Sequence, residues 1–139
     1  MTTRFMLDTN IISDMVRNPR GASAKRGKAE GQVALCTSAI TACELRFGAR
    51  KRGSPALSER IGSFLSRIPV MPLEPPVDET YGRVRLGLEK AGTPIGPYDM
   101  LIAAHALSLG LVLVTDNVRE FSRVEGLRME NWIERGSGA

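Results

Sequence analysis

Residues 94–117 read PIGPYDMLIAAHALSLGLVLVTDN, and their order decides the fold. A Gly/Pro loop leads into an apolar helix that carries Asp99 in its first turn. Gly110 then makes a tight turn into an apolar strand, which ends at Asp116. A helix that feeds a parallel strand runs antiparallel to it, so the helix N-terminus lies beside the strand's C-terminal end. Asp99 and Asp116, seventeen residues apart, are therefore expected at one edge of the sheet. In open α/β sheets that edge is where ligands bind.

The same alternation extends through the rest of the chain. Arg4–Leu7 (RFML) reads as a short strand ending at Asp8, with Thr9 or Asn10 as cap for a helix over Ile11–Arg17. Ala22–Glu30 is helix-prone, Gly31 stops it, and Gln32–Thr37 is a second strand. Ser38 stands where an N-cap belongs, before a helix over Ala39–Lys51. Ser54–Pro55 opens an amphipathic helix over Ala56–Arg67. Val70–Leu73 is a brief third strand whose Pro72 suggests an exposed edge, and Pro76–Ala91 is another helix. Beyond Asn117, Val118–Arg123 supplies about one helical turn and Leu127–Trp132 a last strand, with Trp132 as a packing anchor. The expected architecture is α/β: a central, mainly parallel sheet of four to five strands flanked by helices, in one domain over residues 1–134. Arg135–Ala139 (RGSGA) reads as a frayed, disordered tail. Two helices separate the third and fourth strands. Either one lies obliquely, or the Gly92–Pro97 loop carries the chain back across the sheet edge.

A chain of 139 residues is large enough for one real core, and its 42% hydrophobic and 24% charged content is that of a globular protein. No apolar run approaches the roughly 20 residues of a membrane span, and Met1–Leu7 lacks a signal-peptide pattern; a cytoplasmic location is expected. Cys36 and Cys43 have neither redox nor zinc-ribbon spacing and read as small buried hydrophobes.

Four acids converge in this reading. Asp8 follows the first strand and Asp116 the fourth. Glu44 lies less than two turns into the helix after the second strand, and Asp99 reaches the same edge from its helix. Asp99 is the most telling, because Ile102, Ala103 and Ala106 share its helical face. An unpaired carboxylate there would cost several kcal/mol or stay protonated. Each acid also has an ordinary role open to it: Asp99 as a helix-dipole partner, Glu44 in a capping box with Thr41, Asp116 as a turn acid, Asp8 as a helix cap. It is the shared edge that argues against four separate accidents.

Clustered carboxylates repel, and a hard cation such as Mg²⁺ or Mn²⁺ relieves them while leaving positions for water and phosphate oxygens. His105, the only histidine, lies six residues past Asp99, turned roughly 240° away. It reads as structural, so the usual histidine base is missing. Metal-assisted phosphodiester hydrolysis is the chemistry that such a set fits.

MLDTNIIS, SAITACELRFGA, GPYDMLIAAHA and LVTDN, in this order and spacing, resemble the successive motifs of the PIN-domain ribonucleases, and most of all the VapC-type toxins of bacterial toxin–antitoxin pairs. The resemblance runs from Phe5 to about Trp132. It implies a Mg²⁺- or Mn²⁺-dependent endoribonuclease with Asp8, Glu44, Asp99 and Asp116 as its metal-site and catalytic acids, Asp8 and Asp99 being direct ligands. It also implies that Asn10, Ser38 and Asn117 orient acids or water. A homodimer and a small VapB-like antitoxin that brings a basic residue near the pocket belong to the same expectation. The alternatives are a PIN-fold RNA-processing nuclease without an antitoxin and a catalytically weak RNA-binding module. A phosphoryl-aspartate enzyme fits poorly, since Asp8-Thr9-Asn10 lacks a second aspartate two residues on.

Two basic segments, Arg17 to Lys28 and Arg46 to Arg52, would supply salt-sensitive attraction for an RNA backbone around such a centre. Met15, Phe47, Leu57 and Phe64 are either core or part of a partner surface.

Overall fold

A computed structural model describes residues 2–134. The chain order is β1 (Phe5–Leu7), α1 (Thr9–Arg17), α2 (Ala22–Glu30), a 3-10 turn over Gln32–Ala34, β2 (Leu35–Ser38), α3 (Ala39–Arg52) and α4 (Pro55–Leu65). It continues with β3 (Val70–Met71), α5 (Val77–Ala91), α6 (Pro97–Leu109), β4 (Val112–Val114), α7 (Val118–Phe121) and β5 (Met129–Glu130). The strands form one sheet in the order β3-β2-β1-β4-β5, and every neighbouring pair is parallel. The expected α/β architecture is present. The tail expected at residues 135–139 lies outside the described residues.

Short apolar strands buried on both faces are what an all-parallel sheet requires. Each residue of β1 is at most 1% exposed. Its side chains alternate between two cores, as the pleat dictates. Phe5 and Leu7 join α1 to α4 on one face; Met6 joins α5, α6 and α7 on the other. Trp132 closes the first core against Phe5, ring centroids 5.1 Å apart and edge to face.

The open topological point resolves in the segment before α5. α5 and α6 pack together as a helical hairpin joined by Gly92–Gly96. α6 starts at the carboxyl edge of the sheet, so α5 ends there, and the stretch between β3 and α5 carries the chain back down. The loop that was the other candidate makes a simple turn, with the Thr93 amide on the Leu88 carbonyl at 3.0 Å.

Several local expectations need correction. The cap of α1 is Asp8, whose carboxylate accepts from the Thr9 amide; neither Thr9 nor Asn10 caps it. The last strand is only two residues long. Cys36 is buried, but Cys43 is exposed. Thr41, Leu45 and Ala49 form the buried stripe of α3. Cys43, two residues off that stripe, falls on the opposite face of the helix. Of the residues left open between core and partner surface, Met15 is buried and Phe47 is 65% exposed.

Candidate active site

The site begins with register. Leu7 of β1 pairs with Val114 of β4, so the next residues, Asp8 and Thr115, leave the sheet side by side. β1 is also where the chain turns to opposite sides: β2 lies on one flank and β4 on the other. The crevice at the carboxyl ends of such strands is the expected ligand position in an open parallel sheet.

Asp8 is 4% exposed and well held. Its Oδ1 accepts from the Thr9 amide at 2.8 Å, and its Oδ2 accepts from Thr115 Oγ1 at 2.8 Å. Thr115 Oγ1 in turn accepts from the Asn117 amide at 3.0 Å. Burial pushes the Asp8 carboxyl above its ordinary range, against the pull of these two hydrogen bonds. Glu44 reaches the same place from α3, its Oε1 accepting from Thr9 Oγ1 at 3.0 Å. Burial raises its pKa as well, with the Asp8 charge adding to the effect. The capping-box reading of Glu44 fails, because Ser38 is the N-cap of α3 and accepts from the Ile40 amide.

α6 brings in Asp99. Ile102, Ala103, Ala104 and Ala106 have no exposure, and the small alanines seat the helix close to the sheet. The Asp99 carboxyl is pushed up to about 7, first by burial and then by the negative charges of Glu120, Asp8 and Glu44. Three acids from three other elements therefore act on Asp99, so the convergence expected of Asp8, Glu44 and Asp99 is found.

Glu120, the fourth acid of the cluster, is the one that the sequence reasoning missed. Its Oε1 accepts from the Gly96 amide at 2.8 Å and its Oε2 from Asn117 Nδ2 at 2.6 Å. These donors, the Gly96 amide foremost, hold its carboxyl below the ordinary range, and it shares a hydrogen bond with Asp99. One signal was available: Asn117 stands at the cap of α7 with Glu120 in its first turn, a spacing that sends the carboxylate back toward the cap. Asp116 is placed differently. Its amide donates to Asn10 Oδ1 at 3.0 Å, and its carboxylate accepts from Asn131 Nδ2 at 3.0 Å, toward the β5 side.

The three supporting residues divide likewise. Asn10 ties α1 to the loop after β4, and Asn117 positions Glu120. Ser38 is fully buried and serves the α3 cap and His105, whose Nδ1 lies 2.9 Å from its hydroxyl. Burial lowers the His105 pKa, so the ring is a neutral structural element, as its position along α6 suggested.

Thr115 has no exposure and serves two partners, so Thr115→Val should leave both Asp8 Oδ2 and the Asn117 amide short of a bond. A loss of about 1–3 kcal/mol in chemical denaturation is expected, with Thr115→Ser recovering most of it.

Among the described residues no group of three His, Cys, Asp or Glu side chains is already drawn together as a coordination sphere. The donor chemistry nevertheless fits a hard divalent cation. Asp8, Glu44, Asp99 and Glu120 are all oxygen donors, and among the described residues none of them is in an ion pair with lysine or arginine. Mg²⁺ is commonly held by one or two carboxylates, with water and phosphate completing its shell. A carboxyl kept half-protonated near neutral pH by its neighbours is one that a cation would ionise.

Comparison with known proteins gives the family. The PIN domain matches residues 5–127. The chain is 42% identical over 130 residues to the tRNA(fMet)-specific endonuclease VapC of Shigella flexneri, covering 93% of this chain and 98% of that protein. It is 40% identical over 132 residues to Ribonuclease VapC2 of Haemophilus influenzae, covering 94% and 98%. The crystal structure of DNA-bound VapBC from Salmonella typhimurium contains a chain that superposes with a TM-score of 0.85 at 39% identity, over 94% of this chain and 99% of that one. With its sheet order, its acidic crevice and its near full-length likeness to these proteins, the chain belongs to the PIN-domain family, among its VapC-type members.

Proposed function

We propose that this protein is a metal-dependent endoribonuclease, the toxin of a toxin–antitoxin pair, which hydrolyses RNA phosphodiester bonds at the Asp8–Glu44–Asp99–Glu120 crevice. The observation that carries the reading is the convergence on Asp99 of three other carboxylates, none of them in an ion pair with a basic side chain among the described residues, at the carboxyl edge between β1 and β4. Asp8 and Asp99 would hold Mg²⁺ or Mn²⁺, with Glu44 and Glu120 beside them. When bound, the cation supplies charge neutralisation at the phosphate and activation of water. Thr9 and Thr115 hold Glu44 and Asp8 in place. The Gly96 amide and Asn117 keep Glu120 ionised beside Asp99, whose carboxyl holds the pair's proton. Asp116 lies on the Asn131 side of the crevice, where it braces the loop after β4.

The Shigella flexneri relative is named for tRNA(fMet), which makes a structured tRNA the first substrate to try. VapBC complexes among the structural relatives support a small VapB-like antitoxin as partner. A homodimer acting in the cytoplasm completes the proposal, and no helix among the described residues is long and apolar enough to cross a membrane. The test is to express the protein with and without its neighbouring small reading frame and map new RNA ends across the transcriptome. Cleavage at defined sites, suppressed by the co-expressed partner and absent for Asp99→Asn, is expected. Growth arrest by Asp99→Asn equal to that of the parent would show that toxicity comes from binding, as in a catalytically weak module.

A further inference from the structure

A narrow groove leaves the acidic crevice between α1 and α3, with Leu57 and Ile61 of α4 completing its apolar inner wall. At one end lie Thr9 and Glu44; at the other, Arg17 and Arg52. Its volume is about 130 Å³, which suits a hydrated phosphate better than a folded peptide element. Arg17 lies eight residues past Thr9 on α1, and Arg52 eight residues past Glu44 on α3. At 1.5 Å per residue the two helices therefore carry both arginines about 12 Å from the acids.

The arginines are the last residues of their helices. A cation at a helix C-terminus is favourable by itself. That accounts for their sign, but not for two helices ending with both guanidiniums at one end of a groove whose other end is the acidic crevice. Both are exposed, and among the described residues neither makes a hydrogen bond or ion pair. The field around them has the same sign. Residues 9–68, which build α1 to α4, hold eleven basic and four acidic side chains; the rest of the chain holds eight basic and eleven acidic. A polyanion is thus drawn to this face of the sheet rather than to the α5–α6 face.

Gly48 marks the groove wall halfway along. A Cβ built there meets nothing within 4 Å. A glycine in the middle of a helix is unfavourable relative to alanine or leucine, and no backbone need explains this one, whose φ lies outside the left-handed region. Its effect is to leave the groove open.

We propose that this groove is a phosphate subsite: Arg17 and Arg52 grip a backbone phosphate of an RNA strand whose scissile phosphate lies at the Thr9–Glu44 end. The inference rests on the ribonuclease reading of the acidic crevice and adds to it a direction for the strand, away from Asp8 along α1 and α3. Arginine suits the task because its planar fork binds phosphate oxygens in pairs. The contact is to backbone, so it positions any sequence equally.

The test uses the full-length protein and a labelled single-stranded RNA, with binding followed by fluorescence anisotropy across a salt series and cleavage recorded in parallel. The double variant Arg17→Gln/Arg52→Gln should bind at least fivefold more weakly, and its log–log salt slope should be about 1.4 shallower, the change for two lost phosphate contacts on a single strand. Gly48→Leu should melt at or above the parent temperature yet raise the RNA KM fivefold or more, with kcat within twofold. Arg85→Gln, which removes a cation paired with Glu89 on α5, should keep the parent slope. A groove variant with the parent's affinity and slope overturns the proposal. So does weakened capture of the antitoxin with RNA binding intact, which would make the groove a protein-docking site. A parent that binds RNA with a slope steeper than the double variant's by that amount, but cleaves none in Mg²⁺ or Mn²⁺, refutes the ribonuclease reading and leaves the subsite standing. A parent that binds no RNA refutes both.

Discussion

Asp99→Asn is expected to lower RNA cleavage by roughly 100-fold or more, and at the same time to make the metal-free protein more stable at pH 8. The two effects have one cause. Asp99 sits where Glu120, Asp8 and Glu44 all raise its pKa, so ionising it in the folded protein works against three neighbours. Asparagine has the same shape and removes the charge. It keeps the hydrogen bond to Glu120 and relieves the repulsion, but it gives a hard cation a weaker ligand. A variant that loses activity by unfolding would melt lower; this one should melt higher. That opposition separates a functional acid from a structural one, because a helix-dipole partner would lose stability when neutralised. The check is a cleavage rate in Mn²⁺ beside a thermal melt in chelator, both at pH 8. A melt below the parent, or cleavage within tenfold of it, contradicts the assignment.

The second large effect is a pH dependence of stability that a divalent ion should reverse. In the folded, metal-free protein the Asp99 carboxyl titrates near 7, against an ordinary value of 3.8. Between those values the folded state holds a proton that the unfolded state has lost. Stability therefore falls as pH rises through this window and levels off above about 7. Asp8 and Glu44 are displaced in the same direction, chiefly by burial, and add to the fall. Glu120 is displaced downward, so its contribution has the opposite sign and appears as pH rises through the range below its ordinary 4.5. In chelator the melting temperature should drop by a few degrees from pH 5.5 to 8. Adding Mg²⁺ or Mn²⁺ should restore it at pH 8 and do much less at pH 5.5, because an ion that binds only the folded, ionised form stabilises by mass action. Asp99→Asn should flatten both curves. A metal-free protein that is most stable at pH 8, with no response to either ion, would contradict the cation site.

How the site could be read from the chain follows from which residues are fixed by strand geometry. Asp8 was legible because it follows a strand directly, and a parallel strand of known direction has only one carboxyl end. Asp99 was legible through its apolar helical face and the antiparallel rule. Glu44 was legible as a position, although its partner Thr9 comes from thirty-five residues away and no local pattern announces that bond. Glu120, which stands beside Asp99 and was not among the expected acids, shows the limit. Asp116 and Glu120 both lie just past β4, and each carboxylate takes a partner distant in sequence: Asn131 for Asp116, the Gly96 amide for Glu120. The route from β3 to β4 was open for a similar reason, since a hairpin of two helices is compatible with either connecting segment making the return.

The most direct test of the central claim is a crystal of the protein soaked in Mn²⁺, with the ion located by its anomalous scattering. The account predicts a peak in the crevice in contact with the carboxylates of Asp8 and Asp99, lost when Asp99 is replaced by Asn. A peak held by Asp116 on the Asn131 side, or a crevice that stays empty at saturating Mn²⁺, would contradict it.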